Sequence, residues 1–339
     1  MKLIIQIACL KEEETLPQTL LDLPRQIDGI DTVELLIIDD GSTDNTIEVA
    51  KRFGVHHIVR NPHNMGLARS FSRGIEECLR QGADIIVNTD GDNQYCGADV
   101  RKLVAPIVEG RAAIVIGDRQ TAKIAHFSPV KKLLQKLGSG AVSTLSGARI
   151  PDAVSGFRAI SRDAALKMNI VSPFSYTIET VIQAGRKRIK IESVPVGTNA
   201  KTRESRLFTN IPNFVSRQLK TLVQMYVMYS PLRVFTALGL GLAVVGLIPI
   251  VRFLVAYAAG DGDGHLQSLI LGGVLLVMSF VALTAGLLAD VVSRNRQLLE
   301  MTLEKVRRLE LKADQGIDAE GDIAPPVETL PTMPRLAVK

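Results

Sequence analysis

The chain has no tryptophan, and its other aromatic residues are few, with 5 tyrosines and 10 phenylalanines among 339 residues. Basic and acidic side chains nearly balance, at 40 against 35, which gives a net charge of +5 at pH 7. No stretch rich in Lys and Arg is interleaved with aromatic side chains, as a surface that stacks nucleic-acid bases would be. The composition therefore gives no indication of a nucleic-acid partner.

Cysteine is also scarce. Cys9, Cys78 and Cys96 are widely spaced, and no Cys-x-x-Cys pair occurs. Three cysteines in this arrangement indicate neither a disulfide framework nor a zinc site. The five histidines show no metal-ligand spacing either. We therefore expect a reducing compartment.

Two common phosphate-binding loops are missing as well. The sequence contains neither Gly-x-Gly-x-x-Gly nor a Walker-type Gly-Lys-Ser/Thr. Each of these loops cradles the phosphates of a nucleotide on backbone N–H groups. For a nucleotide-binding protein, their absence favours a metal ion as the group that neutralises a diphosphate.

The first 120 residues alternate short apolar runs with segments of helical periodicity. This alternation predicts an α/β fold, Rossmann-like, with a mostly parallel sheet and helices on both faces. In such sheets, ligands bind beyond the carboxyl ends of the strands. The predicted strands are 3–10, 33–38, 57–59 and 83–87, and the predicted helices are 16–27, 44–53 and 66–80.

Acidic residues follow two of these strands. Asp39 and Asp40 come after the second strand, and Asp90 and Asp92 come after the fourth, separated by Gly91. Side chains two residues apart in an extended segment point to the same side, so Asp90 and Asp92 can converge on one hard cation. The alternative for Asp-Gly-Asp-Asn is a solvated turn. Two strands that end alike favour one shared site for a metal-bound nucleotide.

The composition changes sharply after residue 232. Residues 234–259 are apolar apart from Arg252, and residues 266–289 carry no charge, so each run is long enough to cross a bilayer. Basic residues flank the pair on both sides, whereas the short connector at 260–265 has two Asp and no Lys or Arg. By the positive-inside rule, the chain is predicted to be an integral membrane protein with a cytoplasmic catalytic domain. The alternative is a buried hairpin in a soluble core.

These features divide the chain into five predicted parts. An amphipathic segment precedes the apolar pair and fits either the membrane surface or a docking site on the catalytic domain. A charged helix follows the pair and is a candidate for self-association, which leaves a homo-oligomer open. The parts are a catalytic domain (1–206), a juxtamembrane amphipathic helix (207–232), a transmembrane hairpin (233–292), a cytoplasmic helix (293–312) and a disordered tail (313–339).

Five short motifs, taken together and in order, resemble the family 2 glycosyltransferases. They lie at residues 11–17, 37–46, 64–67, 90–94 and 155–158. The resemblance covers roughly residues 1–292 and is closest to the polyprenyl-phosphate sugar synthases. That group includes the dolichyl-phosphate mannose synthases and bacterial undecaprenyl-phosphate glycosyltransferases with two C-terminal membrane helices. It implies a GT-A-like fold, a nucleotide-sugar donor and a polyprenyl phosphate acceptor.

The resemblance also implies roles for individual residues on the donor side. Glu12, Asp39 and Asp40 would hold the nucleoside, and Asp90 would lie beside the nucleotide. Asp92 and Gln94 would hold Mg²⁺ or Mn²⁺ on the diphosphate. The sequence departs from the family at two positions, with Lys11 where Asn is usual and Gly91 where Ala is usual. These departures concern the contacts to the sugar and the base, and they leave the metal ligands in place.

On the acceptor side, the resemblance places Arg119 at the acceptor phosphate, and it makes Asp92, Arg119 and Arg158 the candidate catalytic residues. Asp152 matches an acidic residue near the sugar. Other basic residues are candidates by their charge alone: Lys131 and Lys132 for the acceptor phosphate, and Arg203 and Arg206 for the nucleotide sugar. The alternatives are a solvated or headgroup-facing helix side for the lysines and a structural turn for 155–158. Glu179 fits either a sugar hydroxyl or a helix-surface salt bridge.

The predicted reaction is an inverting sugar transfer. A lipid phosphate is largely dianionic at neutral pH, so it is already a nucleophile and needs no general base. Direct displacement at the sugar would invert the anomeric centre. The alternatives are a different lipid or glycan acceptor and a catalytically inactive membrane scaffold of the same fold. Processive polysaccharide synthases carry a Gln-x-x-Arg-Trp motif, which a chain without tryptophan does not have.

Overall fold

The structure is a computed structural model. It describes residues 1–120, 138–140, 142–144, 146–148, 150–171, 176–199, 216, 220, 223–260 and 265–314. The strands are β1 (Lys2–Cys9), β2 (Thr32–Asp39), β3 (His57–Arg60), β4 (Ile85–Asp90), β5 (Ile114–Asp118), β6 (Arg158–Ser161) and β7 (Ile191–Pro195). The helices of the catalytic domain are α1 (Leu16–Asp22), α2 (Thr46–Arg52), α3 (Leu67–Arg80), α4 (Val100–Val108), α5 (Arg162–Lys167) and α6 (Tyr176–Arg186). Two long helices follow, α7 (Pro231–Ala258) and α8 (Leu266–Asp314).

The seven strands form one sheet in the order β3-β2-β1-β4-β6-β5-β7. β6 runs antiparallel to β4 and β5, and the other neighbouring pairs are parallel. The predicted α/β fold with a mostly parallel sheet is therefore confirmed. The turn read at 155–158, taken as leading into a strand, does lead into β6, whereas β5 and β7 are not among the predicted strands.

The sheet has a hydrophobic core on each face. Side chains alternate along a strand, so β1 sends Leu3, Ile5 and Ile7 to one core and Ile4 to the other. Helices α1, α2 and α4 cover the first face, and helices α3, α5 and α6 cover the second. A central parallel strand covered on both faces must be apolar throughout, which is why β1 appears in the sequence as a nearly continuous apolar run.

Helices α7 and α8 pair along their length and are long and apolar enough to cross a membrane. Small residues allow this close approach: Ser279 Oγ donates a hydrogen bond to the Gly239 carbonyl at 2.7 Å. A Cβ atom at Gly246 would lie 2.9 Å from Leu275 Cβ, and one at Gly272 would lie 2.3 Å from Ile250 Cγ1. Glycine is therefore required at this interface.

The boundary predicted at 292/293 is not a break in the structure. Helix α8 is continuous from Leu266 to Asp314, so the predicted cytoplasmic helix is its direct extension. Most of the predicted amphipathic helix at 207–232 and nearly all of the predicted tail at 313–339 lie outside the described residues.

Candidate functional site

The two acidic strand ends lie at the same edge of the sheet. β1 pairs with β2 on one side and β4 on the other, and the register places Asp39 opposite Cys9 and Asp90 opposite Ala8. Since strands in a sheet are about 4.8 Å apart, the backbones of these two residues are two strand spacings, or about 10 Å, from each other along the edge. A nucleoside diphosphate is long enough to span that distance.

Asp39 and Asp40 are both buried, but they have different partners. Asp39 Oδ1 accepts a hydrogen bond from the Ser42 backbone N–H at 3.0 Å. Asp39 Oδ2 accepts no hydrogen bond from any residue that the structure describes, although Arg60 Nε lies 3.3 Å away. The Arg60 ion pair offsets part of the cost of burying this oxygen, and a ligand that donates a hydrogen bond to it would offset more.

The Asp40 carboxylate, by contrast, accepts three hydrogen bonds from the loop that leads into α3. Its Oδ1 accepts from Asn61 Nδ2 at 2.7 Å and from the Met65 N–H at 2.8 Å, and its Oδ2 accepts from the Gly66 N–H at 3.0 Å. These bonds fix the 64–67 motif against the end of β2. A contact between Asp40 and the nucleoside stays a prediction.

Glu12 lies between α1 and the loop after β4. Its Oε2 is 2.6 Å from the Thr15 hydroxyl, which also lies 3.0 Å from the Gly91 carbonyl oxygen. The Thr19 hydroxyl donates to the same carbonyl at 3.1 Å. Lys11 precedes Glu12 with a φ of 54°, a left-handed conformation that Asn tolerates better than Lys. The left-handed backbone at this position thus explains why Asn is usual there in the family.

Gly91 lies against β1 rather than facing open space. A Cβ atom there would be 2.9 Å from Cys9 Sγ and 3.3 Å from Glu12 Cγ. The departure from Ala at this position therefore has a packing cause, since the sulfur of Cys9 occupies the space that an Ala methyl group would need.

Asp92 and Gln94 form the candidate metal pair. Gln94 donates from its backbone N–H to Asp92 Oδ1 at 3.2 Å and from Nε2 to Asp92 Oδ2 at 2.8 Å. Among the described residues, no group of three or more His, Cys, Asp or Glu side chains could hold a metal by itself. Mg²⁺ at nucleotide sites is commonly held by one or two protein oxygens together with substrate phosphates and water. The donor set therefore fits a metal that arrives with a diphosphate.

The loop that carries this pair is held from the opposite side by the segment after β7. Asn199 donates from Nδ2 to the carbonyls of Asn93 and Tyr95, each at 3.1 Å, and from its backbone N–H to Gln94 O at 2.9 Å. Asn93 has a φ of 54°, and these bonds stabilise its left-handed conformation. The geometry of the metal pair thus depends on residues about 100 positions apart in the chain.

Arg119 and Asp152 form a bidentate ion pair at the end of β5. Arg119 Nε lies 2.7 Å from Asp152 Oδ2, and Nη2 lies 3.0 Å from Oδ1. Asp152 is buried, whereas the Arg119 side chain retains 19% exposure. The pair leaves Arg119 Nη1 uncommitted within the described part of the chain. Burial lowers the pKa of Arg119, but Tyr95 and Asp152 outweigh burial and raise it, so the guanidinium stays charged.

Arg158 does not fit the catalytic role expected from the sequence. It is fully buried, and its five N–H groups are all used inside the protein. Nε and Nη2 donate to the Ser155 carbonyl, Nη2 also donates to Ala153 O, and Nη1 donates to Thr177 O and Thr180 Oγ1. Burial lowers the pKa of this guanidinium. Arg158 therefore holds the chain around 153–155 against α6, with all of its N–H groups already bonded inside the protein.

Glu179 is fully buried, and both of its carboxylate oxygens accept from the Val171 N–H at 3.1 Å. It is therefore not on a helix surface, and it ties α6 to the preceding loop. A contact between Glu179 and a sugar hydroxyl stays a prediction. Lys131, Lys132, Arg203 and Arg206 lie outside the described residues, so their predicted contacts with phosphates stay predictions.

Several residues at the site were missed by the sequence analysis. Arg60, with residues 41–43 and 61–62, lines a surface pocket beside Asp39. Asn88, in the middle of buried β4, donates to Gly156 O at 2.8 Å and to the Tyr176 hydroxyl at 3.1 Å, and it accepts from Gln6 at 2.8 Å. Polar residues inside otherwise apolar strands were the available signal for Gln6 and Asn88.

Tyr95 and Tyr176 approach Gly156 near Asp90. The Tyr95 hydroxyl accepts from the Gly156 N–H at 3.1 Å, and a Cβ atom at Gly156 would lie 2.9 Å from the Tyr176 hydroxyl and 3.3 Å from Asp90 Oδ2. Burial raises the pKa of both phenols, so they remain neutral hydrogen-bonding groups. Only glycine allows the backbone at 156 to lie this close to Asp90.

A family model described as glycosyl transferase family 2 matches residues 4–168. An uncharacterized protein of Methanocaldococcus jannaschii is 30% identical over 202 residues, which make up 58% of this chain and 81% of that protein. The chain belongs to glycosyltransferase family 2. The expectation from the five motifs is thereby confirmed.

Another relative of this family 2 chain has a named activity. It is the UDP-N-acetylglucosamine–dolichyl-phosphate N-acetylglucosaminyltransferase of Methanococcus voltae, which is 26% identical over 185 residues, or 48% of this chain and 74% of that protein. Among solved structures, glucosyl-3-phosphoglycerate synthase from Mycobacterium tuberculosis with Mg²⁺ and UDP has a TM-score of 0.50 at 18% identity. The match covers 67% of this chain and 78% of that one, and it shows the GT-A fold.

Proposed function

We propose that this family 2 glycosyltransferase moves a sugar from a nucleotide sugar to a polyprenyl phosphate at the cytoplasmic face of a membrane. The observation that carries the proposal is that one chain joins the acidic site of the GT-A sheet to two long, apolar and mostly exposed helices. The Methanococcus voltae relative, named for transfer from UDP-N-acetylglucosamine to dolichyl phosphate, supports the same donor and acceptor classes.

The exposure of the two helices supports membrane insertion over burial in a soluble core. The most apolar windows of α7 and α8 are only 11% and 22% buried, whereas the core helix of a soluble protein would be mostly buried. Their apolar surface therefore needs a nonpolar solvent. The connector between them has two Asp and no Lys or Arg, which supports a catalytic domain on the cytoplasmic side.

On the donor side, Asp39 Oδ2, which accepts no hydrogen bond from the described residues, supports recognition of a nucleobase N–H. Uracil and guanine both present a ring N–H next to a carbonyl oxygen. Asp39 Oδ2 can accept from that N–H, and Arg60, 3.3 Å away, can donate to the carbonyl. This pairing would remove the cost of an unsatisfied buried oxygen, and it suits either a UDP-linked or a GDP-linked sugar.

At the diphosphate, Asp92 and Gln94 would hold Mg²⁺ or Mn²⁺. When bound, the metal would neutralise charge on the departing nucleoside diphosphate. Gln94 would have to turn its amide so that the oxygen, rather than Nε2, faces the metal. The bonds from Asn199 to the 93–95 backbone would keep the pair in place while that side chain rotates.

At the acceptor, Arg119 would receive the lipid phosphate through Nη1 while Asp152 holds Nε and Nη2. The phosphate is already a dianion, so the protein needs to position it and to offset the repulsion between two anions, rather than to remove a proton. In-line attack by the phosphate oxygen breaks the bond between the sugar and the nucleoside diphosphate and inverts the anomeric centre.

The test is a product assay with the full chain in detergent. The protein is incubated with Mg²⁺ or Mn²⁺, a panel of UDP- and GDP-sugars, and undecaprenyl phosphate, dolichyl phosphate or 3-phosphoglycerate. We expect UDP or GDP to form only with a lipid phosphate present, together with a glycosylated lipid. Product with 3-phosphoglycerate alone would contradict the acceptor assignment, and no product with any pair would favour an inactive scaffold.

A further inference from the structure

The part of α8 beyond the predicted membrane segment, residues 293–314, is about 33 Å long and packs on the catalytic domain. We refer to it as the α8 extension. Leu311 is 8% exposed and belongs to the core formed with α3, α5 and α6. Glu300 pairs with Lys187 at 2.9 Å, and Arg308 pairs with Asp163 at 3.1 Å. One side of this helix is thus used within the same chain, while self-association stays a prediction.

Arg307 of the α8 extension also bonds to the domain. Its Nη1 donates to the Met168 carbonyl at 2.8 Å and to Asn169 Oδ1 at 3.0 Å, and its Nη2 lies 3.7 Å from Glu76 Oε1. Met168 is the C-cap of α5, where a cation is favoured by the helix dipole. The Arg307 side chain is 22% exposed, so these bonds are largely shielded from water.

The segment that Arg307 holds is bonded in turn to α6. The Asn169 N–H donates to Gln183 Oε1 at 3.1 Å, and the Val171 N–H donates to both oxygens of Glu179 at 3.1 Å. Gln183 Nε2 donates to Glu179 Oε1 at 3.2 Å. Gln183 and Glu179 are fully buried, so residues 168–171 and α6 form one hydrogen-bonded unit.

Helix α6 begins at the candidate active site. Tyr176 is its first residue, and its ring stacks on Phe71 with centroids 4.0 Å apart. Its hydroxyl accepts from Asn88 and approaches the same face of Gly156 as the Asp90 carboxylate. A displacement of α6 would therefore move a group that packs beside Asp90.

We propose that Arg307 is a positioning residue, through which the α8 extension holds residues 168–171 and α6 so that Tyr176 stays in place beside Asp90. The membrane helix would thereby be a structural part of the catalytic site as well as an anchor. The inference rests on the proposed function for its activity measurement, but not for its structural one.

The experiment compares Arg307→Ala, Arg307→Lys and Arg294→Ala in the full chain in detergent. Arg294 is the matched control, because it lies on the same helix, is 76% exposed and pairs with Asp290 of α8 itself. Hydrogen exchange of peptides covering 168–171 and 176–186 is measured together with transfer rates well below the unfolding temperature. For Arg307→Ala we expect faster exchange in those peptides and a kcat/KM lower by roughly 3- to 10-fold.

Arg307→Lys should recover much of both properties, because the two acceptors share the single donor Nη1 and one ammonium group can reach them. General destabilisation would instead raise exchange across the whole sheet. Exchange and turnover in Arg307→Ala equal to those of Arg294→Ala would overturn the proposal, as would faster exchange with unchanged turnover. If the wild type has no transfer activity, the proposed function fails, while unchanged exchange in Arg307→Ala would still refute the docking role.

Discussion

The ends of β2 and β4 are similar in sequence, since each apolar run leads into two closely spaced aspartates and a glycine, yet they use their carboxylates differently. Asp40 binds two backbone N–H groups and the Asn61 side chain of the loop before α3. Asp92 is bonded by Gln94 from its own loop, and both of these groups offer oxygens suited to a metal. Asp40 thus holds the fold together, whereas the nucleobase contact of Asp39 and the metal contact of Asp92 stay predictions.

The difference follows from the chain on either side. The 61–66 loop follows β3 and leads into α3, and its Met65 and Gly66 N–H groups bond to Asp40 at the end of β2. After β4, Asn199 holds the loop at 93–95, and Asp92 accepts from Gln94 within that loop. The two acidic strand ends therefore differ in the residue that holds the neighbouring loop, which is Asp40 at one end and Asn199 at the other.

The largest expected effect is that of Asp92→Ala on turnover. Loss of a metal ligand removes several kcal/mol of charge stabilisation on the leaving diphosphate, so kcat should fall about 10³-fold. The thermal unfolding temperature in detergent should stay near that of the wild type, because Gln94, which donates two hydrogen bonds to Asp92, lies in the same loop. Steady-state kinetics over a range of Mg²⁺ concentrations check this, and full activity would remove Asp92 from the metal site.

The next effect is on stability, from Asp40→Ala. Three donors lose their acceptor, and we expect a loss of about 3 kcal/mol in the free energy of unfolding. Asp31→Ala, at an exposed carboxylate, is the control and should have little effect. Thermal unfolding followed by circular dichroism measures both variants. An unchanged unfolding temperature with weakened donor binding would instead give Asp40 the nucleoside role that the family resemblance implies.

The sequence was sufficient to predict the sheet edge at which both acidic pairs lie. Central parallel strands are buried on both faces, so β1, β2 and β4 stand out as apolar runs, and their parallel order brings Asp39 and Asp90 to one edge. The family motifs then predict the chemistry of that edge. This part of the site depends on local patterns and topology, which a single sequence contains.

The sequence did not distinguish arginines that face a ligand from those that support the fold. Arg158 donates hydrogen bonds to the backbone carbonyls of residues 153, 155 and 177. Because every residue type has a backbone carbonyl, the sequence does not indicate which of them will accept. Arg119 differs only in having a carboxylate partner and partial exposure. The continuity of α8 was missed for a related reason, since the change from apolar to charged residues at 292 does not coincide with an end of the helix.

A smaller effect is expected for Asp39→Asn, which tests the proposed hydrogen bond from the base N–H to Asp39 Oδ2. Ser42 can still donate to the remaining oxygen, but an amide N–H₂ would face the base N–H at the position of Oδ2. We expect the dissociation constant for the nucleoside diphosphate to rise about tenfold, equivalent to ~1.4 kcal/mol. Calorimetric titration with UDP and GDP in the presence of Mg²⁺ measures this. Unchanged affinity for both would place the base elsewhere.

The smallest expected effect concerns Gly91, which connects the second acidic pair to β1. In Gly91→Ala, the new methyl group would lie 2.9 Å from Cys9 Sγ, so the buried sulfur or the loop must shift, at a cost of about 1 kcal/mol. For a domain of this size, that lowers the unfolding temperature by roughly 2–4 °C.

Because the clash is with Sγ, the loss should be smaller when Gly91→Ala is made in a Cys9→Ala background, where that sulfur is absent. A double-mutant cycle on unfolding temperatures measures this coupling. Additive effects of the two substitutions would show that Gly91 is required for a reason other than Cys9, and the contact with Glu12 Cγ at 3.3 Å would then become the constraint to test.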